Sequence, residues 1–415
     1  MVSSVESTNR TATRHVMLVP RLALMMFLQF FIWGTWSVTL GLVMTQHNLG
    51  TLIGDAFSAG PIASILSPFV LGMIVDRFFP SQKVTALLHL VGAGILWFIP
   101  QALLSENGTQ LIVLLFAYTL CYMPTLALTN NIAFHSLSNS EKSFPLVRVF
   151  GTIGWIVAGI CIGVSGIAAS TAIFQLAAVC SLVLAAYSLT LPHTPAPAKG
   201  QPFRVRDLFC ADAFSLLKQS HFLIFAICAT LISVPLGTYY AFTASFLADV
   251  GIQDVSSAMS FGQMSEICFM LIIPLLFRRL GVKYMLLIGM LAWFVRYMLF
   301  AYGVSEDART LLYIGILLHG VCYDFFFVIG FIYTDRVAGT QVKGQAQSLI
   351  VMFTYGIGML LGSQISGALY NRLFSADGTH ALENWTTFWT IPAVAALVIA
   401  VIFLFSFKYK DQSQQ

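Results

Sequence analysis

Four ionisable side chains stand inside stretches that otherwise exclude charge: Arg148, Glu266, Arg296 and Asp324. Asp324 is the plainest case. It lies in GVCYDFFFVIG, Gly320 to Gly330, with apolar sequence continuing from Leu311 to Tyr333. A charge at the centre of a membrane helix costs about 2.5–3.5 kcal/mol, so such residues face a cavity or a partner. A carboxyl removed from water favours its neutral form. It can therefore load and release a proton in surroundings that resist a fixed charge. Asp324 and Glu266 are the candidates for that chemistry. Gln263 and Glu266, three residues apart in GQMSEICFM, put an amide and a carboxyl on one helical side, where they can hydrogen-bond a polar guest.

Helical spacing gives the other groups their faces. Arg148, Thr152 and Trp155 fall at i, i+4 and i+7 in RVFGTIGW: a cation, a hydroxyl and an aromatic on one stripe, with Gly151 and Gly154 allowing close approach. Gly320, Asp324 and Phe327 share a face, and His319 and Tyr323 form the adjacent stripe. Each group also has a plainer reading: Glu266 and Asp324 can be neutral acids bonded to backbone or to each other's spans, with no transport role. Arg148 can snorkel to the membrane surface, and Arg296 can pack near the outer interface as a structural residue. His319 and His89 suit neutral, hydrogen-bonded imidazoles. Phe325 and Phe326 read as packing or lipid-facing residues, whereas Tyr323 and Phe327 have a claim on a cavity. No metal-ligand spacing, nucleophile–base arrangement or phosphate-cradling loop occurs, so no metal, cofactor or enzymatic activity is expected.

The elements that hold these groups follow from composition. The chain is 58% hydrophobic and 9% charged, against roughly half and a quarter in soluble domains. That much apolar surface needs lipid as its solvent. About twelve stretches are long enough to span a bilayer, centred near Ile32, Ile65, Ala93, Tyr118, Ile156, Val179, Ile232, Met270, Met290, Leu318, Met359 and Val398. Their length and continuity specify helices, since lipid tolerates only helices or closed barrels. The seven cysteines, mostly within spans, read as small apolar filler and not as disulfides. The polar first twenty residues run into a full-length span, unlike a cleavable signal peptide.

Counting loops from a cytoplasmic N-terminus, 17 of the 21 Lys and Arg residues fall on the inside. Only Arg309 and Arg372 fall outside, and Arg148 and Arg296 lie within spans. Both termini are therefore expected in the cytoplasm, and the basic residues need no nucleic-acid partner. The longest connection, Leu191 to Ser220, is Pro-rich and basic and separates six spans from six. The expected plan is a tail (1–20), a six-helix bundle (21–191), a central loop (192–220), a second six-helix bundle (221–407) and a tail (408–415). This is the architecture of the major facilitator superfamily, whose members bind substrate near the midplane, where the repeats meet. The loop GMIVDRFFPSQKV resembles that superfamily's Gly-x-x-x-Asp-Arg signature, departing from it at FFPSQ. There Asp76 and Arg77 can form a cytoplasmic gate or simply a tight charged turn.

Seven pieces together resemble the nucleoside:proton symporter family of that superfamily: FFIWGTWSVTLG, CYMPTLALTNNIAFHSL, FPLVRVFGTIGW, SLTLPHTP, GQMSEICFML, FVRYMLFAYG and HGVCYDFFFVIGFIYTD. The likeness covers almost the whole chain. It implies an all-α membrane protein of twelve helices in two six-helix halves. It also implies proton-driven nucleoside uptake, with a nucleoside, a proton and the lipid bilayer as partners and a monomer as the expected state. The family's cavity residues correspond here to Arg148, Thr152, Gln263, Glu266, Tyr323 and Asp324. Span seven departs from the pattern. It reads SVPLGTYYAFTASF, with Gly237 and Tyr240 where polar amides are usual, and Trp155 replaces a smaller aromatic. Expected substrate contacts are thus Arg148, Thr152, Trp155, Tyr240, Gln263, Glu266, Tyr323 and Phe327, with Asp324 or Glu266 carrying the proton. The alternatives are transport of a sugar or drug, or a membrane receptor that transports nothing.

Overall fold

The computed structural model describes residues 2–70, 78–137, 140–196, 212–374 and 382–409. Within them the apolar runs form twelve spanning helices, and no strand occurs among the described residues. In chain order they begin with α1 (Leu18–Gln46), α2 (Ile53–Val70), α3 (Ser81–Leu104) and α4 (Gly108–Ser136). Next come α5 (Ser143–Val164), α6 (Ala172–Thr190) and α7 (Ser220–Asp249). Helices α8 and α9 share Val255–Tyr302 and meet at Gly281. The last three are α10 (Glu306–Gly339), α11 (Val342–Phe374) and α12 (Glu383–Ser406).

Two of the sharpest breaks are glycines with left-handed backbone, Gly281 at φ 68° and Gly339 at φ 65°. Glycine adopts that region without a Cβ clash, so it ends one helix and frees the chain to start the next. Each break sits among basic residues: Arg278, Arg279 and Lys283 around the first, Arg336 and Lys343 around the second. Lys343 pairs with Asp335 at 2.7 Å.

Lipid shapes the helix faces. On α12, Val394, Val398, Val401, Ile402 and Phe405 are exposed along one stripe, while Trp385, Phe388, Trp389, Ala393, Ala396, Ala400 and Phe403 are buried. Both faces are apolar, the pattern of a helix packed on protein on one side and on acyl chains on the other.

The chain divides into two compact units. Unit one comprises Met1–Ser37 and Leu66–Phe203; unit two comprises Val38–Ile65 and Arg204–Gln415. The end of α1 and the start of α2 join unit two through small residues that let backbones touch. A Cβ on Gly41 would lie 2.4 Å from the Ala241 carbonyl oxygen, and one on Gly54 would lie 2.7 Å from that of Ser363. Polar contacts reinforce this docking: Gln364 Nε2 donates to Asp55 Oδ1 at 3.0 Å and to Ser58 Oγ at 2.8 Å. Asp76 and Arg77, the expected gate, lie outside the described residues.

Candidate functional site

In unit one the stripe on α5 packs against α1. Gly151 and Gly154 make this possible, since a Cβ on Gly154 would lie 2.3 Å from the Phe27 carbonyl oxygen. The Arg148 guanidinium sits 4.2 Å from the centre of the Phe30 ring, a cation–π contact that holds it against α1. Trp155 meets Trp33 edge-on at 5.2 Å, and Trp33 in turn lies 5.7 Å from Tyr122 on α4. Thr152 is half-buried between them in sequence. Phe30 and Trp33 were not singled out as site residues by spacing, because they stand on a different helix from the stripe they complete.

Behind this cluster lies a buried polar network joining α1, α3, α4 and α6. His89 bonds Gln29 Oε1 through Nε2 at 2.9 Å and Ser181 Oγ through Nδ1 at 3.0 Å. Gln29 Nε2 donates to Thr125 Oγ1 at 2.7 Å, and Thr125 donates to the Tyr122 carbonyl at 2.6 Å. Both ring nitrogens of His89 have partners, as a neutral imidazole in a helix bundle requires.

In unit two the residues expected to act together are neighbours of one another. Gly320 brings α10 against α8: a Cβ there would lie 2.7 Å from Ser265 backbone atoms and 2.8 Å from the Glu266 nitrogen. The Gly320 N–H donates to Ser265 Oγ at 3.0 Å. This packing sets the expected acid–amide pair of α8 beside α10, with Gln263 buried and Glu266 half-buried. Tyr323 stacks with His319 at 5.9 Å and meets Phe327 at 5.1 Å with tilted rings; Tyr240 meets His319 edge-on at 6.4 Å. Gly237, the departure on α7, packs on α11, where its Cβ would lie 3.1 Å from Gly362 Cα. The small residue thus serves helix–helix contact.

Asp324 is fully buried, and neither Oδ1 nor Oδ2 has a hydrogen-bond partner. It opens a π-helical turn, Asp324–Val328, in the middle of α10. A second π-helical segment, Met352–Gly358, lies in α11. Single π-turns inside α-helices are frequent at functional positions. Phe325 and Phe326 are buried, so both pack inside the protein and neither faces lipid. Arg296 is also fully buried, packed inside the protein.

Comparison with known proteins shows the family of the chain. Residues 16–412 match the family model described as nucleoside H+ symporter. The chain belongs to the nucleoside H+ symporter family. Within it, the chain is 38% identical to YegT of Escherichia coli K12 over 403 residues, covering 94% of each protein. It is 33% identical to the xanthosine permease of the same strain over 412 residues, covering 95% of this chain and 97% of the permease. The crystal structure of the nucleoside transporter NupG superposes with a TM-score of 0.84 at 30% identity, covering 95% of this chain and all of that one. A peptide transporter of the POT type, at 14% identity and TM-score 0.73, shares the fold. Family membership agrees with twelve apolar helices and a multi-pass membrane protein.

Proposed function

We propose that this chain is a secondary active transporter that takes up nucleosides together with protons by alternating access. The observation that carries the reading is the family match over residues 16–412. Asp324 supplies the means. A carboxyl buried in a spanning helix, with both oxygens unbonded, is tolerable when neutral and costly when charged. It therefore loads a proton where water is acidic and releases it where the site opens to a less acidic side.

A nucleoside is uncharged, so a proton must supply the driving force. It provides about 1.4 kcal/mol per pH unit and about 2.3 kcal/mol per 100 mV. Together these support roughly a few hundredfold accumulation. In this reading Asp324 carries the proton, while Gln263 and Glu266 hydrogen-bond the substrate and Tyr240, Tyr323 and Phe327 offer ring faces to the base. In unit one, Arg148, Thr152 and Trp155 contribute a cation, a hydroxyl and an aromatic wall. The charge asymmetry of the loops places both termini in the cytoplasm, and the relatives point to a bacterial inner membrane. Glycine and tyrosine on α7, in place of amides, favour a substrate preference unlike that of amide-bearing members. Uptake of labelled nucleoside into proteoliposomes, competed by panels of nucleosides, sugars and dyes, tests the reading. Competition by sugars alone would replace it.

A further inference from the structure

Arg296 is a fully buried cation on α9, and its hydrogen-bonding pattern constrains its neighbour. Its Nη1 lies 2.8 Å from His319 Nδ1. A guanidinium has donors only, so Nδ1 of His319 is the acceptor and carries no proton. The remaining ring proton then belongs to Nε2, on the side turned away from Arg296. A second proton on Nδ1 would set two cations 2.8 Å apart in a fully buried place, where such repulsion is strong.

The same guanidinium begins a column of rings. Its central carbon lies 3.6 Å from the Tyr239 ring centre. Tyr239 stacks on His319 at 5.3 Å and His319 on Tyr323 at 5.9 Å, and Tyr323 meets Phe327 at 5.1 Å with the rings tilted by 39°. The column thus ends on two rings already assigned to substrate. Two of the guanidinium nitrogens, Nε and Nη2, have no hydrogen-bond partner. What holds Arg296 is the His319 acceptor and the aromatic faces. The ionisable groups facing the pair are Tyr239 and Tyr240 on α7, Tyr297 on α9, and Cys322 and Tyr323 on α10; Glu266 on α8 lies near the two α7 tyrosines and Asp324 lies near Glu266.

We propose that Arg296 locks His319 as a neutral imidazole protonated on Nε2, and that this pair positions Tyr323 and Phe327 for substrate without taking part in proton transfer. His319 is then a positioning residue acting through the ring column, and Asp324 and Glu266 are left as the acids that exchange the proton. The inference about substrate rests on the nucleoside reading above; the inference about the tautomer does not.

Two experiments test it on the full chain. In the first, histidine is labelled with nitrogen-15 in the purified protein, and the His319 signals are found by difference from His319→Asn. A neutral ring with its proton on Nε2, unchanged from pH 5 to pH 8, is expected. An imidazolium or an Nδ1-protonated ring in that range would overturn the proposal. In the second, uridine uptake is measured across pH. His319→Asn keeps an acceptor for Arg296 and cannot carry a proton. It should retain the wild-type pH midpoint, with KM raised no more than about threefold. His319→Phe keeps the ring but removes the acceptor, and should raise KM about tenfold with Vmax and the pH midpoint little changed. A displaced pH midpoint in His319→Asn would show that His319 carries a proton and sink the idea. Absence of uridine uptake by the wild type would count against the nucleoside reading, and the nitrogen-15 spectra would still decide the tautomer.

Discussion

Two buried ionisable sites, His89 in unit one and Asp324 in unit two, are treated in opposite ways. In unit one, His89 sits in a closed network: Gln29, Ser181, Thr125 and the Tyr122 carbonyl answer one another, and both imidazole nitrogens are bonded. In unit two, Asp324 has two oxygens without a partner, and Arg296 has two nitrogens without one. A satisfied network rigidifies a core, whereas an unsatisfied charge in low dielectric is costly and persists where a function needs it. The first arrangement is a frame. The second is where we propose that a proton comes and goes. The contrast teaches that burial alone does not mark a functional ionisable group; burial without partners does.

Four substitutions break or sharpen this contrast. The largest effect belongs to Asp324→Asn. With no titratable group, uphill nucleoside uptake should fall from roughly a few hundredfold accumulation to near equality across the membrane. Its rate should also lose the rise seen as the outside pH falls. Proteoliposomes with imposed pH gradients measure both. Next is Gly320→Ala, which forces a methyl into the Ser265 and Glu266 backbone. Overpacking of this kind costs about 1–3 kcal/mol and should appear as a lower melting temperature in detergent together with weaker uptake. Gln263→Ala removes one proposed polar contact to the substrate and should weaken nucleoside affinity about tenfold while leaving the melting temperature nearly unchanged. The smallest effect falls in unit one. Ser181→Ala deletes one partner of His89 and should cost about 1 kcal/mol of stability without moving the pH dependence of uptake. A shifted pH profile there would erase the distinction between the units.

Much of this was legible before any coordinates. Twelve apolar runs with polar or basic punctuation leave lipid-spanning helices as the only economical fold. Charges within those runs identify Arg148, Glu266, Arg296 and Asp324 directly. Spacing of three and four also paired Gln263 with Glu266 and Arg148 with Trp155, because residues on one helix share a face by geometry. Contacts between helices were not legible. Nothing in the spacing links Arg296 to His319, 23 residues apart on separate helices, so Arg296 read as an interface residue. Phe30 and Trp33 were overlooked for the same reason: aromatics are common in apolar spans, and only packing shows which ones meet a cation. The π-turn at Asp324 has no sequence signal in DFFFV, and the role of Gly237 in seating α7 on α11 emerged only from the backbone approach.

The central claim is that nucleoside and proton cross together. The most direct measurement is proton movement in proteoliposomes carrying a luminal pH dye and the purified wild-type chain. No pH gradient is imposed, and a potassium diffusion potential clamps the voltage negative inside. Adding a nucleoside outside should acidify the lumen in proportion to the nucleoside taken up, and Asp324→Asn should abolish that acidification. Entry of labelled nucleoside with no change in luminal pH would contradict the account.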